Sequence, residues 1–95
     1  MQVALDVTNR DALLAALRDV VGRHEIYRAK GFVALPGVAM RLVVQGVGTR
    51  FDSYFDRPWR ADEVRQSRIV LIGSELNAAV LQAELSAALA TPGAA

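Results

Sequence analysis

The chain has 95 residues, 53% hydrophobic and 22% charged, with a net charge of +1 and no cysteine. That is the composition of one modest globular domain, residues 1–95, and not of a disordered chain. The near-zero charge argues against nucleic acid or an anionic membrane as partner, and the missing cysteine excludes disulfides, thiolate metal sites and cysteine nucleophiles. No run of about 18 apolar residues marks a membrane span and no signal peptide opens the chain, so the cytoplasm is the default compartment.

Taken in order, Gln2 to Val7 alternates with Val3, Leu5 and Val7 on one side and reads as a first strand. Thr8 or Asn9 caps a helix whose first turn holds Asp11, whose stripe is Leu13, Leu17, Val20 and Val21, and which Gly22 is placed to stop. Glu25 to Leu35 is a second strand, Pro36-Gly37 a turn, and Ala39 to Val47 a third strand. Gly46-Val47-Gly48 lacks the GxxxxGK[ST] spacing of a phosphate loop and reads as a bulge or tight turn. A short strand follows over Arg50 to Phe55, then a loop over residues 56–63 built around Pro58. RIVLI, residues 68 to 72, is a last strand ended by Gly73. A helix spans Leu76 to Leu89, capped by Ser74 or Asn77, with Leu81, Leu85 and Leu89 in line. The TPGAA tail, residues 91–95, should fray.

Two helices cannot cover both faces of such a sheet. The expected fold is α+β in two layers, a largely antiparallel sheet of four to five strands with both helices on one face. Leu13, Leu17, Val33, Leu42, Val44, Leu71, Leu81 and Leu85 are the expected core.

Residues that carry chemistry are sparse. His24 is the only histidine, placed to end the first helix or sit on the surface, so no multi-histidine metal site exists within one chain. Asp52 and Asp56 read as solvated edge charges, not as a hydrolytic pair. Five arginines between residues 50 and 68 beside Tyr54 and Trp59 are a pattern compatible with single-stranded RNA, but Asp52, Asp56, Asp62 and Glu63 interleave them. A salt-bridged loop, with Trp59 as its anchor on the sheet end, is the stronger reading.

EIYRAKGFVALPG, then MRLVVQGVGTRFDSYFDRPW, then SRIVLIGSEL, resembles the C-terminal domain of CobW-type proteins, the P-loop GTPases proposed as metal chaperones. The Arg-x-Lys-Gly-Phe run, the Gln-Gly-Val-Gly step, the Asp-Arg-Pro-Trp loop and the Ile-Gly strand end occur in order. The loop makes the chain most similar to the cobalamin-biosynthesis branch, which implies cobalt delivery. The resemblance implies a non-catalytic accessory module for docking or regulation, because the family's GTPase machinery and cysteine metal motif belong to an N-terminal domain. It carries over no catalytic residue, cofactor contact or metal ligand, and no cofactor is expected in this chain. It leaves open whether these residues stand alone or follow such a domain. The competing reading is a small stand-alone RNA- or ligand-binding module.

The second strand raises the sharpest question. Tyr27, Ala29, Gly31, Val33 and Leu35 form one apolar face that the helices should cover, while Arg28 and Lys30 share the other. The outward face should gather Ile26, Arg28, Lys30 and Phe32, with Arg41, Val43 and Gln45 from the third strand and Arg68, Val70 and Ile72 from the last. It would be half apolar and half basic with no acid among these residues, which marks a contact surface. Arg28, Lys30, Phe32, Arg41, Gln45 and Trp59 are the candidate interaction residues. The expected partner is a CobW-type GTPase domain or client protein, or a second copy of the chain itself.

Overall fold

A computed structural model describes residues 1–90, so the expected fraying of the tail lies outside the described residues. The order is β1 (Gln2–Leu5), α1 (Arg10–Arg23), β2 (Ile26–Val33), β3 (Met40–Val47), β4 (Arg50–Pro58), β5 (Ser67–Gly73) and α2 (Ala78–Ala90). The strands form one sheet in the order β1-β5-β2-β3-β4, and every neighbouring pair is antiparallel. Both helices lie on one face, as the two-layer α+β expectation required.

Local chemistry sets the boundaries. Asn9 caps α1, its side chain accepting from the Ala12 amide at 2.9 Å, and Asp11 sits in the first turn where the helix dipole favours it. The helix runs through Gly22 and ends on His24, whose amide donates to the Val20 carbonyl at 2.9 Å. Asn77 caps α2 in the same way, accepting from the Val80 amide at 3.1 Å. Gly48 holds a φ of +56° in the two-residue turn between β3 and β4, where a side chain would be strained. Of the Gly46-Val47-Gly48 run, Gly46 and Val47 end β3 and Gly48 opens the tight turn.

All eight expected core residues are buried, joined by Val3, Leu5, Val20, Ile26 and Ile69 among others. β5 is the last strand in sequence but sits between β1 and β2. That insertion requires a close approach at Gly31, where any β-carbon would overlap the Arg68 carbonyl and the Ile69 backbone.

Two expectations are corrected. A register irregularity between Ile26 and Arg28 turns Ile26 into the core and leaves Tyr27 54% exposed, the reverse of strict alternation. β4 runs on through Asp56, Arg57 and Pro58, which the sequence reading gave to a loop; proline is tolerated there because β4 is an edge strand. A second irregularity between Arg41 and Leu42 accommodates the extra residue at Asp56.

Two substitutions test the layer. Leu71→Ala should cost about 2–5 kcal/mol by leaving a cavity under β5, and Gly31→Ala should cost more than about 3 kcal/mol by forcing β2 and β5 apart. Denaturant melts of each variant check both; a Gly31→Ala protein as stable as the parent would contradict the close approach.

Candidate interaction face

The face turned away from the helices is built by register. One row across the strands holds Ile72, Arg28, Val47 and Arg50. The next holds Val70, Lys30, Gln45 and Asp52, and a third holds Arg68, Phe32, Val43 and Tyr54. Arg41 closes the face beside Asp56.

The third row is a packed ridge. Val43 is only 3% exposed although no helix covers it, because Phe32 and Tyr54 flank it on the neighbouring strands. The Arg41 guanidinium lies 3.8 Å from the centre of the Phe32 ring and forms an ion pair with Asp56, its Nε donating at 3.1 Å. That hydrogen bond holds the Asp56 carboxyl below the usual carboxylate range. Gln45 donates to the Tyr54 hydroxyl at 3.0 Å, and Arg68 donates to the side-chain Oε1 of Gln66 at 2.6 Å.

The first two rows are open. They line a shallow depression of about 460 Å³ bordered by Arg28, Lys30, Arg50, Val70 and Ile72. Val47 and Ile72 stand 61% and 56% exposed there. Among the described residues no ion pair engages Arg28, Lys30 or Arg50.

The structure thus brings Arg28, Lys30, Phe32, Arg41 and Gln45 together and corrects three details. Ile26 is not on this face. Trp59 is not either: its amide donates to the Ala39 carbonyl at 3.0 Å beyond the end of β4, and its indole Nε1 is enclosed without an acceptor. That is the position of a loop anchor, not of a stacking platform for RNA bases. Finally, the face is not free of acid, because β4 contributes Asp52 and Asp56. The sequence reading had taken both as solvated edge charges and had not assigned the fourth strand to this face.

The loop beyond β4 is held by Glu63. Its carboxylate receives both Arg57 terminal nitrogens, at 2.6 and 2.8 Å, and the Arg60 amide at 2.8 Å. The Arg57 hydrogen bonds, then the Arg60 amide, draw its pKa down to about 2. At the other end of the molecule His24 meets Glu84 at 2.7 Å and Arg23 meets it at 3.0 Å, tying the two helices together. The His24 hydrogen bond holds Glu84 below the usual range. Among the described residues no group of three or more histidine, cysteine or acidic side chains is placed to hold a metal, and no helix is long and apolar enough to cross a membrane.

Fold and face together define a small α+β module with one broad side left uncovered. Residues 4–89 match the family described as the cobalamin synthesis protein cobW C-terminal domain, and the chain belongs to that family. A protein of Pseudomonas aeruginosa named zinc chaperone CobW is 54% identical over 88 residues, covering 93% of this chain and 24% of the relative. A protein of the same name from Sinorhizobium sp is 42% identical over 77 residues, covering 80% of this chain and 22% of the relative. The crystal structure of the zinc-bound GTPase YjiA from E. coli superposes with a TM-score of 0.74 at 27% identity, over 94% of this chain and 28% of that one. The chain spans about a quarter of the length of each.

The pH response follows from the lowered carboxyls. Glu63 is charged and bonded above its ordinary pKa of 4.5, so its contribution is fully present there and is lost as pH falls through about 2. Asp56 and Glu84 act in the same sense. Acid titration followed by circular dichroism should show stability declining below about pH 4.5, with a shallower decline in Glu63→Gln; an identical acid profile in that variant would remove Glu63 from the account.

Proposed function

We propose that this chain is the non-catalytic accessory domain of a metal-chaperone GTPase of the CobW type, acting in the cytoplasm, and that its uncovered sheet face docks the GTPase part of that protein. The observation that carries the reading is the face itself. Val47, Val70 and Ile72 are exposed beside Arg28, Lys30 and Arg50, which have no ion-pair partner among the described residues. A sheet face serving only solvent would be more polar, and an exposed patch of this mixed character marks a contact site.

Charge selects the kind of partner. Arg28, Lys30, Arg41, Arg50 and Arg68 face outward against Asp52 and Asp56, and Asp56 is already engaged by Arg41. Two copies meeting face to face would set cations against cations. A partner with acids around an apolar centre suits the face better than a second copy does.

The cargo is proposed to be zinc. The resemblance to the cobalamin branch implied cobalt, but the two curated relatives are both named zinc chaperones. Metal analysis of a full-length protein carrying this domain separates the two; preferential cobalt loading would restore the cobalt reading.

Docking is tested by titrating this chain against the remaining three quarters of the Pseudomonas aeruginosa relative. Arg28→Glu with Ile72→Ser is the informative variant, since both side chains are exposed and unengaged, whereas Arg41 reversal would also disturb Phe32 and Asp56. The variant should weaken binding by about tenfold or more, equivalent to at least about 1.4 kcal/mol, with an unchanged melting temperature. Equal binding by parent and variant would contradict the reading. A salt-sensitive affinity for single-stranded RNA, lost in Trp59→Ala, would favour the rival RNA-binding module.

A further inference from the structure

The two edges of the sheet are finished differently. At the β1 edge, the Gln82 carboxamide of α2 bonds to Ala4 in both senses: the Ala4 amide donates to Oε1 at 3.1 Å, and Nε2 donates to the Ala4 carbonyl at 2.7 Å. It stands where a neighbouring strand would stand. The β4 edge has no such cover. Among the described residues, nothing beyond the ladder to β3 bonds the backbone between Phe51 and Phe55.

The direction of those free groups follows from the turn. A two-residue connection makes Val47 and Arg50 a hydrogen-bonded pair. The amides of Arg50, Asp52 and Tyr54 therefore face β3, and those of Phe51, Ser53 and Phe55 face the open edge.

We propose that this edge pairs antiparallel with the β4 edge of a second copy, on a two-fold axis through Ser53. In a symmetric antiparallel pair, residues with outward amides must oppose residues with outward amides, so the axis passes through a residue and not between two. Three axes fall inside the regular stretch. An axis at Asp52 sets that carboxylate against its twin, and one at Tyr54 leaves only Ser53 to Phe55 in the ladder before the irregularity at Asp56. Only the Ser53 axis avoids both. It places Asp52 opposite Tyr54 of the second copy on the outer face. On the helix side it sets Phe51 against Phe55, an aromatic cross-strand pair. Phe55 is 43% exposed without such a partner, whereas the Phe51 ring lies over Gly46 of β3 with the Arg18 guanidinium 6.0 Å from its centre, so the pairing would cover Phe55 against the outer side of that ring. The irregularity at Asp56 limits the ladder to about five residues on each strand. A contact that narrow belongs to the transient class.

Sedimentation of the chain over concentrations up to about 1 mM, the scale of weak encounters, reads the equilibrium directly. A dimer should appear as concentration rises, and Ser53→Lys, which puts two ammonium groups on the axis, should weaken it by about tenfold or more. Lysine is compatible with an edge strand, and a melt confirms that the variant folds. The chain has no cysteine, which gives a second readout. On the axis the two Ser53 Cα atoms would lie about 5.5 Å apart, within disulfide range. Ser53→Cys should therefore link two copies under mild oxidation well before Thr49→Cys in the hairpin turn does. A chain that stays monomeric throughout overturns the pairing. So does association untouched by Ser53→Lys, or a Ser53→Cys variant that links no faster than Thr49→Cys.

Discussion

The close approach of β2 and β5 at Gly31 is the contact on which the rest of this structure depends. With no β-carbon in the way, the backbone of β5 can lie between β1 and β2, where any larger residue would meet the Arg68 carbonyl. The insertion completes a five-stranded sheet, and the described residues supply two helices to cover it. The helices are drawn to the side where Ala29, Val33, Ile69 and Leu71 are apolar, so one face is buried and the other is left uncovered. The outward rows from Ile72 to Arg50 and from Val70 to Asp52 exist because that register is fixed.

Charge then divides the uncovered face into two parts. Where Arg41 stacks on Phe32 and pairs with Asp56, the surface is satisfied within the domain and Val43 is sealed beneath it. Where Arg28, Lys30 and Arg50 surround Val70 and Ile72, neither the charges nor the apolar atoms find a partner in the described residues. The ridge belongs to the fold, and the depression is the part on which the docking proposal rests. In a family whose relatives are about four times longer than this chain, most of each protein lies outside the matched region.

Much of this was legible in the sequence. β2 reads clearly because its two faces differ sharply, and Arg28, Lys30 and Phe32 fall on the side opposite Ala29 and Val33 as alternation requires. The helices read clearly because Asn9 and Asn77 are good caps and the leucine stripes have helical spacing. The failures were of two kinds. Ile26 and Tyr27 are both apolar, so nothing local announces the irregularity that turns one inward and the other out. Residues 50–58 alternate poorly and contain Pro58, so β4 was cut short at Phe55 and was not assigned a place on the face, which left out Asp52 and Asp56. Long-range features had no signal at all: Gln82 is an ordinary polar helix residue until the fold sets it against the Ala4 backbone.

Oxidative footprinting of a full-length protein carrying this domain, compared with the isolated 95-residue chain, tests the central claim most directly. Docking of the uncovered face predicts that Val47, Val70 and Ile72 are shielded in the full-length protein, while Val80, exposed on α2 in the opposite layer, is labelled equally in both. Equal labelling of Val47, Val70 and Ile72 in the two proteins would contradict it.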